Sequence, residues 1–376
     1  MTAAAFGLGV VVVVLTIAGV IDTLILPRPP AGIGRVALLV VRSVNFSIGA
    51  VARLARRYEA QDAILSFIAP LALIVQLLSW AVALVLGFAL MLMTSTHSFA
   101  LALSQSASSL FTVGSIHPGG TPNVAIDIIA GATWVVVVAL QIAYLPSLYS
   151  KFAHREGLVT LLETRAGQPS WGPEMLVRHH FAGVDHLLAD AYAEWERWAA
   201  EVSESHTTYP VLMYFRSPDP WLSWVIGLLS VLDAAALHMA IAPQSAPSEA
   251  RLLLHTGFNV FNRLARSMGW EVVENPGPDT PVAITYEEFA WAVSILEHFG
   301  VTTERSAADA WPAFRGWRVN YEHSAYLLAD YLTAPPTPWS GTRHGVRTSD
   351  VAVRNPPHQL LDRISGGLTP GEHRAR

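Results

Sequence analysis

The feature that most constrains the fold is a stretch of 30 residues without a charge, from Ile64 to Met93. A helix rises about 1.5 Å per residue, so about 20 apolar residues are enough to cross a hydrocarbon core roughly 30 Å thick. Soluble proteins carry about 25% charged residues, whereas this chain of 376 residues carries 14% and is 52% hydrophobic. We therefore predict an integral membrane protein in which Ile64–Met93 is one span.

Two further stretches are long and apolar enough to span a membrane. Residues 3–26 are interrupted only by Asp22, and a second run extends from about Ile126 to Tyr149. We expect the first to be a retained anchor rather than a cleaved signal peptide, because no basic segment precedes it and it is longer than a signal-peptide core.

The basic residues set the expected orientation. Six arginines lie between the first and second spans, and Lys151 and Arg155 follow the third. By the positive-inside rule these segments face the cytoplasm. The predicted location is the cell (inner) membrane, with the N-terminus outside and the C-terminus in the cytoplasm.

Residues 33–57 are less apolar and predict an amphipathic helix. At 100° per residue, Arg35, Arg42 and Arg53 fall within about 20° of one another, and Arg57 lies close to the same stripe. Basic side chains on one face, with Val, Leu and Ile opposite, are typical of a helix that lies on an anionic lipid surface. These four arginines are the predicted contacts with the lipid bilayer.

The segment between the second and third spans is of a different kind. Phe99–Leu110 predicts a helix rich in small and hydroxyl residues, but its length of about 18 Å is too short to span. It leads into Thr112-Val113-Gly114-Ser115 and a return rich in Pro and Gly. Irregular backbone at membrane depth is tolerated only where protein buries it or where it lines a water-filled pore.

A span, a short helix, Thr-Val-Gly and an inner span together resemble the pore module of potassium channels. The whole layout is similar to bacterial membrane proteins of the ion-channel or two-pore-domain potassium-channel type. In potassium channels the loop reads Thr-Val-Gly-Tyr-Gly, and its carbonyl oxygens replace the hydration shell of the ion. Thr112, Val113 and Gly114 match the first three positions, whereas Ser115 and Ile116 stand where the family has Tyr and Gly.

The resemblance implies passive conduction of a monovalent cation, potassium-like, without a cofactor. Thr112–Ser115 would coordinate the ion in extended backbone, and Ser109 and Phe111 would support the pore helix. Because one loop per chain cannot close a ring of carbonyls, four copies are needed, and the implied assembly is a homotetramer. The alternative is a hairpin that only joins two spans, in a non-conducting anchor whose soluble domain binds a protein or lipid partner.

Two residues of the third span have two interpretations each. Gly131 and Pro146 are candidate bend points of a pore-lining helix. Alternatively, Gly131 lets neighbouring helices approach, and Pro146 marks the exit from the membrane.

Residues 157–340 predict an α-helical cytoplasmic domain. Apolar residues from Phe181 to Val202 recur at steps of 3 and 4, and further helices are expected over 249–268, 286–299 and 318–333. Residues 221–241 are apolar all round and form either a buried central helix or a fourth span; we favour the former because Asp233 would be costly in lipid. Residues 334–376 hold few large apolar side chains and predict a disordered tail.

No catalytic, metal or nucleotide site is predicted in this half, so we do not expect an enzyme. His186, Asp190 and Glu194 share a helical face, but such charges are typical of a solvated face. Glu204-Ser205-His206 lacks a nucleophile elbow, and we expect the adjacent side chains to diverge. The chain has no cysteine, and its net charge of −5 argues against a nucleic-acid partner.

The predicted fold class is an all-α membrane protein with three transmembrane helices, a re-entrant pore helix and loop, and an α-helical cytoplasmic domain. The expected domains are an anchor with an interfacial helix at 1–57, a pore module at 58–156, the helical domain at 157–340 and the tail at 341–376.

Overall fold

A computed structural model describes residues 2–26, 35–113, 121–277 and 280–340, which form helices and loops without a β-strand. The prediction of an all-α protein is confirmed for this part of the chain. The chain divides into two units. Unit 1 comprises residues 1–151 and 208–215, and unit 2 comprises residues 152–207 and 216–376.

Unit 1 contains long apolar helices joined by short connections. In chain order they are α1 (Thr2–Leu24), α2 (Arg35–Ala52), α3 (Tyr58–Leu65), α4 (Ile68–Thr96), α5 (Phe99–Leu110) and α6 (Thr121–Ala166), whose last residues belong to unit 2. Helical stretches long and apolar enough to cross a membrane occur at 3–24, 58–96, 123–166 and 224–241. By the length and composition of these helices, the chain is a membrane protein.

Glycine residues allow α1 and α4 to pack closely. A Cβ atom on Gly9 would lie 2.5 Å from the carbonyl oxygen of Gly87, and one on Gly87 would lie 2.7 Å from a methyl carbon of Val13. Such close approach is a common way for membrane helices to gain van der Waals contact. Side chains of α1, α4, α5 and α6 also share one buried cluster, formed by Val13, Val20, Trp80, Leu84, Phe88, Leu110, Ala130 and Val137.

Two boundaries in this unit differ from the predicted ones. α2 ends at Ala52, and a turn precedes α3, so the continuous helix predicted over 33–57 is wrong beyond residue 52. Residues 53–57 contain no helix breaker, so the sequence carries no signal for this turn. α6 continues to Ala166 although the predicted span ends at Tyr149. A change from apolar to polar residues marks a change of environment, but it does not stop a helix when no proline or cap follows.

Unit 2 packs shorter helices around a central one. They are α7 (Gly172–Phe181), α8 (Leu188–Thr208), α9 (Trp224–Ile241), α10 (Ser248–Ser267), α11 (Tyr286–His298), α12 (Ala307–Arg318) and α13 (Glu322–Tyr331). The single helix predicted from Phe181 to Val202 is wrong, because Gly183 adopts a left-handed φ of 70° and separates α7 from α8.

The C-terminal helices also differ from the prediction over 318–333. α13 (Glu322–Tyr331) lies within the predicted range, but it begins four residues later than predicted, because α12 ends at Arg318 and a turn separates the two helices. α12 itself was not predicted. Its start is set by Ser306, whose side chain accepts a 3.2 Å hydrogen bond from the backbone N–H of Asp309, as an N-cap residue does.

α9 is the buried centre of unit 2. It is packed against α7, α10, α12 and α13. Asp233 forms a salt bridge with Arg318 and accepts a 2.7 Å hydrogen bond from the hydroxyl of Tyr321. Arg318 Nε also donates to Glu322 at 2.6 Å. Because Arg318 bonds to it, the charge of Asp233 is paired inside a protein core. This burial favours the central-helix interpretation, although length and composition alone would also allow a span.

Residues 334–340 pack onto unit 2, so the disorder predicted from residue 334 is wrong for them. Trp339 is 2% exposed, and its carbonyl oxygen accepts a 2.7 Å hydrogen bond from Arg318 Nη2. Its ring centroid lies 5.4 Å from that of Phe314 and 5.7 Å from that of Trp171. The tail predicted at 341–376 lies outside the described residues.

Candidate functional site: the polar cluster of α4, α5 and α6

α5 covers the residues predicted for the short helix, Phe99–Leu110, and it lies along α4. The hydroxyl of Ser106 donates a 2.8 Å hydrogen bond to the carbonyl oxygen of Val85. Val85 is 11 residues before the end of α4 at Thr96, which corresponds to about 16 Å along the helix. α5 therefore turns back beside α4 instead of continuing away from it.

A carboxylate on α6 accepts hydrogen bonds from two side chains of α5. Asp127 Oδ2 accepts a 2.8 Å hydrogen bond from Gln105 Nε2, and Asp127 Oδ1 accepts a 2.7 Å bond from the hydroxyl of Ser109. Close by in the chain, the hydroxyl of Ser95 donates to Asn123 Oδ1 at 2.7 Å. Polar bonds thus join α4, α5 and α6 inside an otherwise apolar unit.

Sequence reasoning identified Ser109 but missed Asp127, Gln105 and Asn123. The hydroxyl of Ser109 faces the carboxylate of Asp127, a partner 18 residues away that the Thr-Val-Gly comparison did not suggest. One signal was available, since Asp127 is the only acid between Ile126 and Tyr149. An ionisable residue within a membrane span is expensive to bury and usually marks a functional site.

The end of α5 is a Schellman cap. The backbone N–H of Val113 donates to the carbonyl of Ser108 at 3.0 Å, and that of Thr112 donates to Ser109 at 3.3 Å. Thr112 takes the left-handed position of this cap with φ 56°, where glycine is usual. The expectation of extended backbone is therefore wrong at Thr112. Gly114 and Ser115 lie outside the described residues.

The side chains at this end divide between a neighbour and an open surface. The rings of Phe111 and Trp134 meet edge to face, with centroids 5.6 Å apart, so Phe111 links α5 to α6. Val113 is 80% exposed. A Cβ on Gly131 would lie 3.2 Å from the carbonyl oxygen of Ser109, so Gly131 permits the close approach of α6 to α5. Pro146 lies within α6, and a bend there stays a prediction.

The predicted basic stripe is divided between α2 and the turn after it. Arg42 lies on α2 and is partly buried, whereas Arg53 and Arg57 are exposed in the turn. Arg35 begins α2, and its side chain lies outside the described part of the structure. α2 also leaves two large apolar side chains exposed, Leu39 at 59% and Phe46 at 73%. The exposed apolar side chains therefore lie on α2 and the exposed arginines lie in the turn after it, so the described residues do not form one basic face on a single helix.

The Ser205–His206 pair in unit 2 has a structural arrangement. The two side chains do not diverge as expected, because Ser205 Oγ lies 3.1 Å from His206 Nδ1. However, the hydroxyl of Ser205 donates to the carbonyl of Glu201 at 2.8 Å, and Arg155 Nη1 donates to His206 Nε2 at 3.0 Å. Burial, followed by the charge of Arg155, lowers the pKa of His206 well below its usual value. His206 is therefore a neutral acceptor for a buried arginine and is not placed to activate Ser205.

No cluster of three His, Asp or Glu residues that could hold a metal ion occurs among the described residues. The predicted face of His186, Asp190 and Glu194 is divided, because His186 lies in a short 3₁₀ turn before α8. Comparisons with protein-family models, with curated proteins and with solved structures found no match to this chain. The function is therefore inferred from its own residues and their geometry.

Proposed function

We propose that the chain forms a passive pore for monovalent cations, assembled from four copies in the cell membrane, with unit 2 in the cytoplasm. The observation that carries the proposal is the course of α5. It is too short to cross a membrane, it turns back beside α4, and it ends at an exposed segment beside the central residues of α4. Three spans, α1, α4 and α6, would surround this re-entrant helix.

The depth of the exposed segment is the physical reason for a pore. Leu110 belongs to the same buried cluster as Trp80, Leu84 and Phe88, which lie near the middle of α4, so in this proposal the backbone after Leu110 begins near the centre of the hydrocarbon layer. Non-helical backbone at that depth requires either covering protein or water. Four copies arranged about an axis would enclose this exposed segment around a shared aqueous path and turn the carbonyl oxygens of residues 112–114 toward it.

Each residue of the cluster has a role in this proposal. Thr112, Val113 and Gly114 would supply oxygen ligands to the ion, whereas Asp127 would position α5 through Ser109 and Gln105. Thr112 would leave its left-handed conformation in the assembly, because a β-branched residue is disfavoured there by about 1–2 kcal/mol. Strained backbone of this kind is frequent at functional sites.

The second candidate is a non-conducting anchor whose unit 2 binds a partner. The cap at Thr112 favours it, because a Schellman motif is an ordinary helix end and needs no ion. In that case α5 would only fill space between α4 and α6.

Rubidium uptake into liposomes separates the two candidates. The purified chain should pass rubidium, and Gly114→Ala should abolish uptake because alanine resists the backbone angles that a carbonyl ring requires. Gly49→Ala is the control, since a Cβ there meets no atom within 4 Å, and it should conduct normally. An absence of uptake by the wild-type chain, together with a monomeric or dimeric mass, would exclude the pore.

A further inference from the structure

α10 carries a concentration of basic side chains in a unit that is otherwise acidic. Residues 157–340 hold twenty-one acids and ten arginines. Three of these arginines, Arg251, Arg263 and Arg266, lie on α10, and no acid occurs from Ala250 to Trp270. The charge of α10 is therefore opposite in sign to the net charge of the unit that contains it.

The basic residues share the exposed side of this helix. We call them the α10 basic face, and they are Arg251, His255, Arg263 and Arg266. At 100° per residue these four positions fall within about 120° of one another, and all four side chains are exposed. The apolar residues of α10 that pack in unit 2 lie on the opposite side of the helix. Leu252 lies between the basic positions, and its side chain is 53% exposed.

The charges of the α10 basic face are largely unpaired. Arg251 and Arg263 form no ion pair with another described residue. Arg266 pairs with Glu274 at 3.2 Å, but both side chains are more than half exposed, at 51% and 73%. An exposed ion pair of this kind contributes little to stability. The face is therefore available to a negatively charged partner, and its arginines are not required to hold unit 2 together.

The shape of the face favours a surface over a small anion. From Arg251 to Arg266 the helix extends about 22 Å, so one phosphate group could reach only part of it. Guanidinium groups bind phosphate oxygens well, and an apolar side chain among basic ones is typical of contact with lipid headgroups. Unit 1 contains three of the helical stretches that can cross a membrane, so a lipid surface belongs to the surroundings of this chain.

We propose that the α10 basic face docks unit 2 onto anionic phospholipid headgroups of the bilayer that holds unit 1. A basic residue near such a surface strengthens binding about fivefold, so three arginines give about 100-fold. This gain is modest for a free domain, but unit 2 is joined covalently to unit 1, which makes the docking intramolecular. The proposal applies equally to a pore and to a non-conducting anchor, so its failure would leave the proposed function untouched.

Fluorescence quenching by labelled lipids tests this docking in the full chain. Because the chain has no cysteine, Leu252→Cys can carry a single nitrobenzoxadiazole label. Leu187→Cys is the matched control, since Leu187 is 42% exposed in unit 2 and lies between Asp185 and Asp190 in the sequence. In nanodiscs of phosphatidylcholine and phosphatidylglycerol, lipids with a nitroxide on the headgroup should quench the label at position 252 several-fold more than the label at position 187.

This quenching should depend on charge. It should fall to the level of position 187 in phosphatidylcholine alone, and also at about 1 M salt, where the Debye length is about 3 Å. Arg251→Gln/Arg263→Gln/Arg266→Gln should weaken docking about 100-fold and remove the quenching in the mixed lipids.

Three results would overturn the proposal. The first is equal quenching at positions 252 and 187 in the mixed lipids, and the second is equal quenching at position 252 with and without phosphatidylglycerol. Neither requires the triple variant to fold. The third is a blue-shifted emission at position 252 without quenching, which would show that protein, such as the acidic surface of a second copy, covers the face instead of lipid.

Discussion

Asp127→Asn changes the bonds that hold α5 against α6 while keeping the size of the side chain. Asp127 accepts from Ser109 at 2.7 Å and from Gln105 at 2.8 Å, one bond on each oxygen. Asparagine can still bond to both partners, because the hydroxyl of Ser109 has the carbonyl of Gln105 as a second acceptor at 2.9 Å and can itself accept from an NH₂ group, but neither bond then involves a charged group. A hydrogen bond to a charged group contributes about 1.5–3 kcal/mol and a neutral one about 0.5–1.5 kcal/mol, so making both bonds neutral should weaken the docking of α5 by about 1.5–3 kcal/mol.

Hydrogen exchange measured by mass spectrometry reports this loss locally. Opening of α5 controls the exchange of its amides, and each 1.4 kcal/mol corresponds to about a tenfold change in the open population. The peptide covering residues 99–110 should therefore exchange about 10- to 100-fold faster in the Asp127→Asn protein. The exchange rates of peptides from unit 2 should be unchanged.

Asp22→Asn is the matched control. The enclosed Oδ2 atom of Asp22 on α1 has no hydrogen-bond partner among the described residues. Replacing Asp22 by asparagine removes a poorly solvated charge and loses no identified bond at that atom. Exchange of the α1 amides should therefore stay equal to that of the wild type or become slower. If the peptide covering residues 99–110 exchanges no faster in Asp127→Asn than in Asp22→Asn, the carboxylate of Asp127 does not hold α5 and the proposed positioning role is wrong.

Three further predictions concern packing and charge. Gly9→Ala should lower stability by about 1–3 kcal/mol in detergent melts, because its Cβ meets a backbone carbonyl. Gly7→Ala is the control and should not lower stability, because a Cβ there meets no atom within 4 Å. Equal losses in the two variants would refute the α1–α4 contact. Because the pKa of His206 is lowered, the unfolded chain binds a proton that the folded chain does not. His206 should therefore lower stability below about pH 6.5 by up to about 1.4 kcal/mol per pH unit, in addition to the effect of His179, whose pKa burial also lowers. His206→Gln should make the slope shallower in melts between pH 5.5 and 7.5, and an unchanged slope would contradict the assignment. Arg318→Met should destabilise unit 2 by about 3–5 kcal/mol in the same assay, since it removes the counter-charge of two buried carboxylates. A loss under about 1 kcal/mol would contradict the stabilising role of these ion pairs.

The sequence was most informative where length and charge alone decide the structure. The 30 uncharged residues from Ile64 to Met93 predicted α4, and the small and hydroxyl residues of Phe99–Leu110 predicted α5 with its observed bounds. Both depend on local composition. The turn after Ala52 could not be predicted in this way, because it is not encoded by a breaker residue.

The polar cluster depends on contacts between distant parts of the chain. Asp127 meets Gln105 and Ser109, which lie 22 and 18 residues earlier, and no periodic pattern relates them. The matching residues Thr112 and Val113 suggested a filter, but the backbone angle at Thr112 follows from the cap that ends α5 and cannot be read from residue types. The sequence motif therefore proposes the site, and the structure adds Asp127, which bonds to the helix that leads into it.

The chain has no cysteine, so a single introduced cysteine can test the pore directly. Val113→Cys places a thiol on the proposed conduction path, and Val82→Cys places one on α4, where Val82 is 58% exposed. Both proteins should pass rubidium into liposomes before modification. A cationic methanethiosulfonate reagent should then block flux through the Val113→Cys protein and leave the Val82→Cys protein unaffected. If neither unmodified protein nor the wild type conducts, or if modification at residue 113 leaves flux intact, this segment does not line a pore.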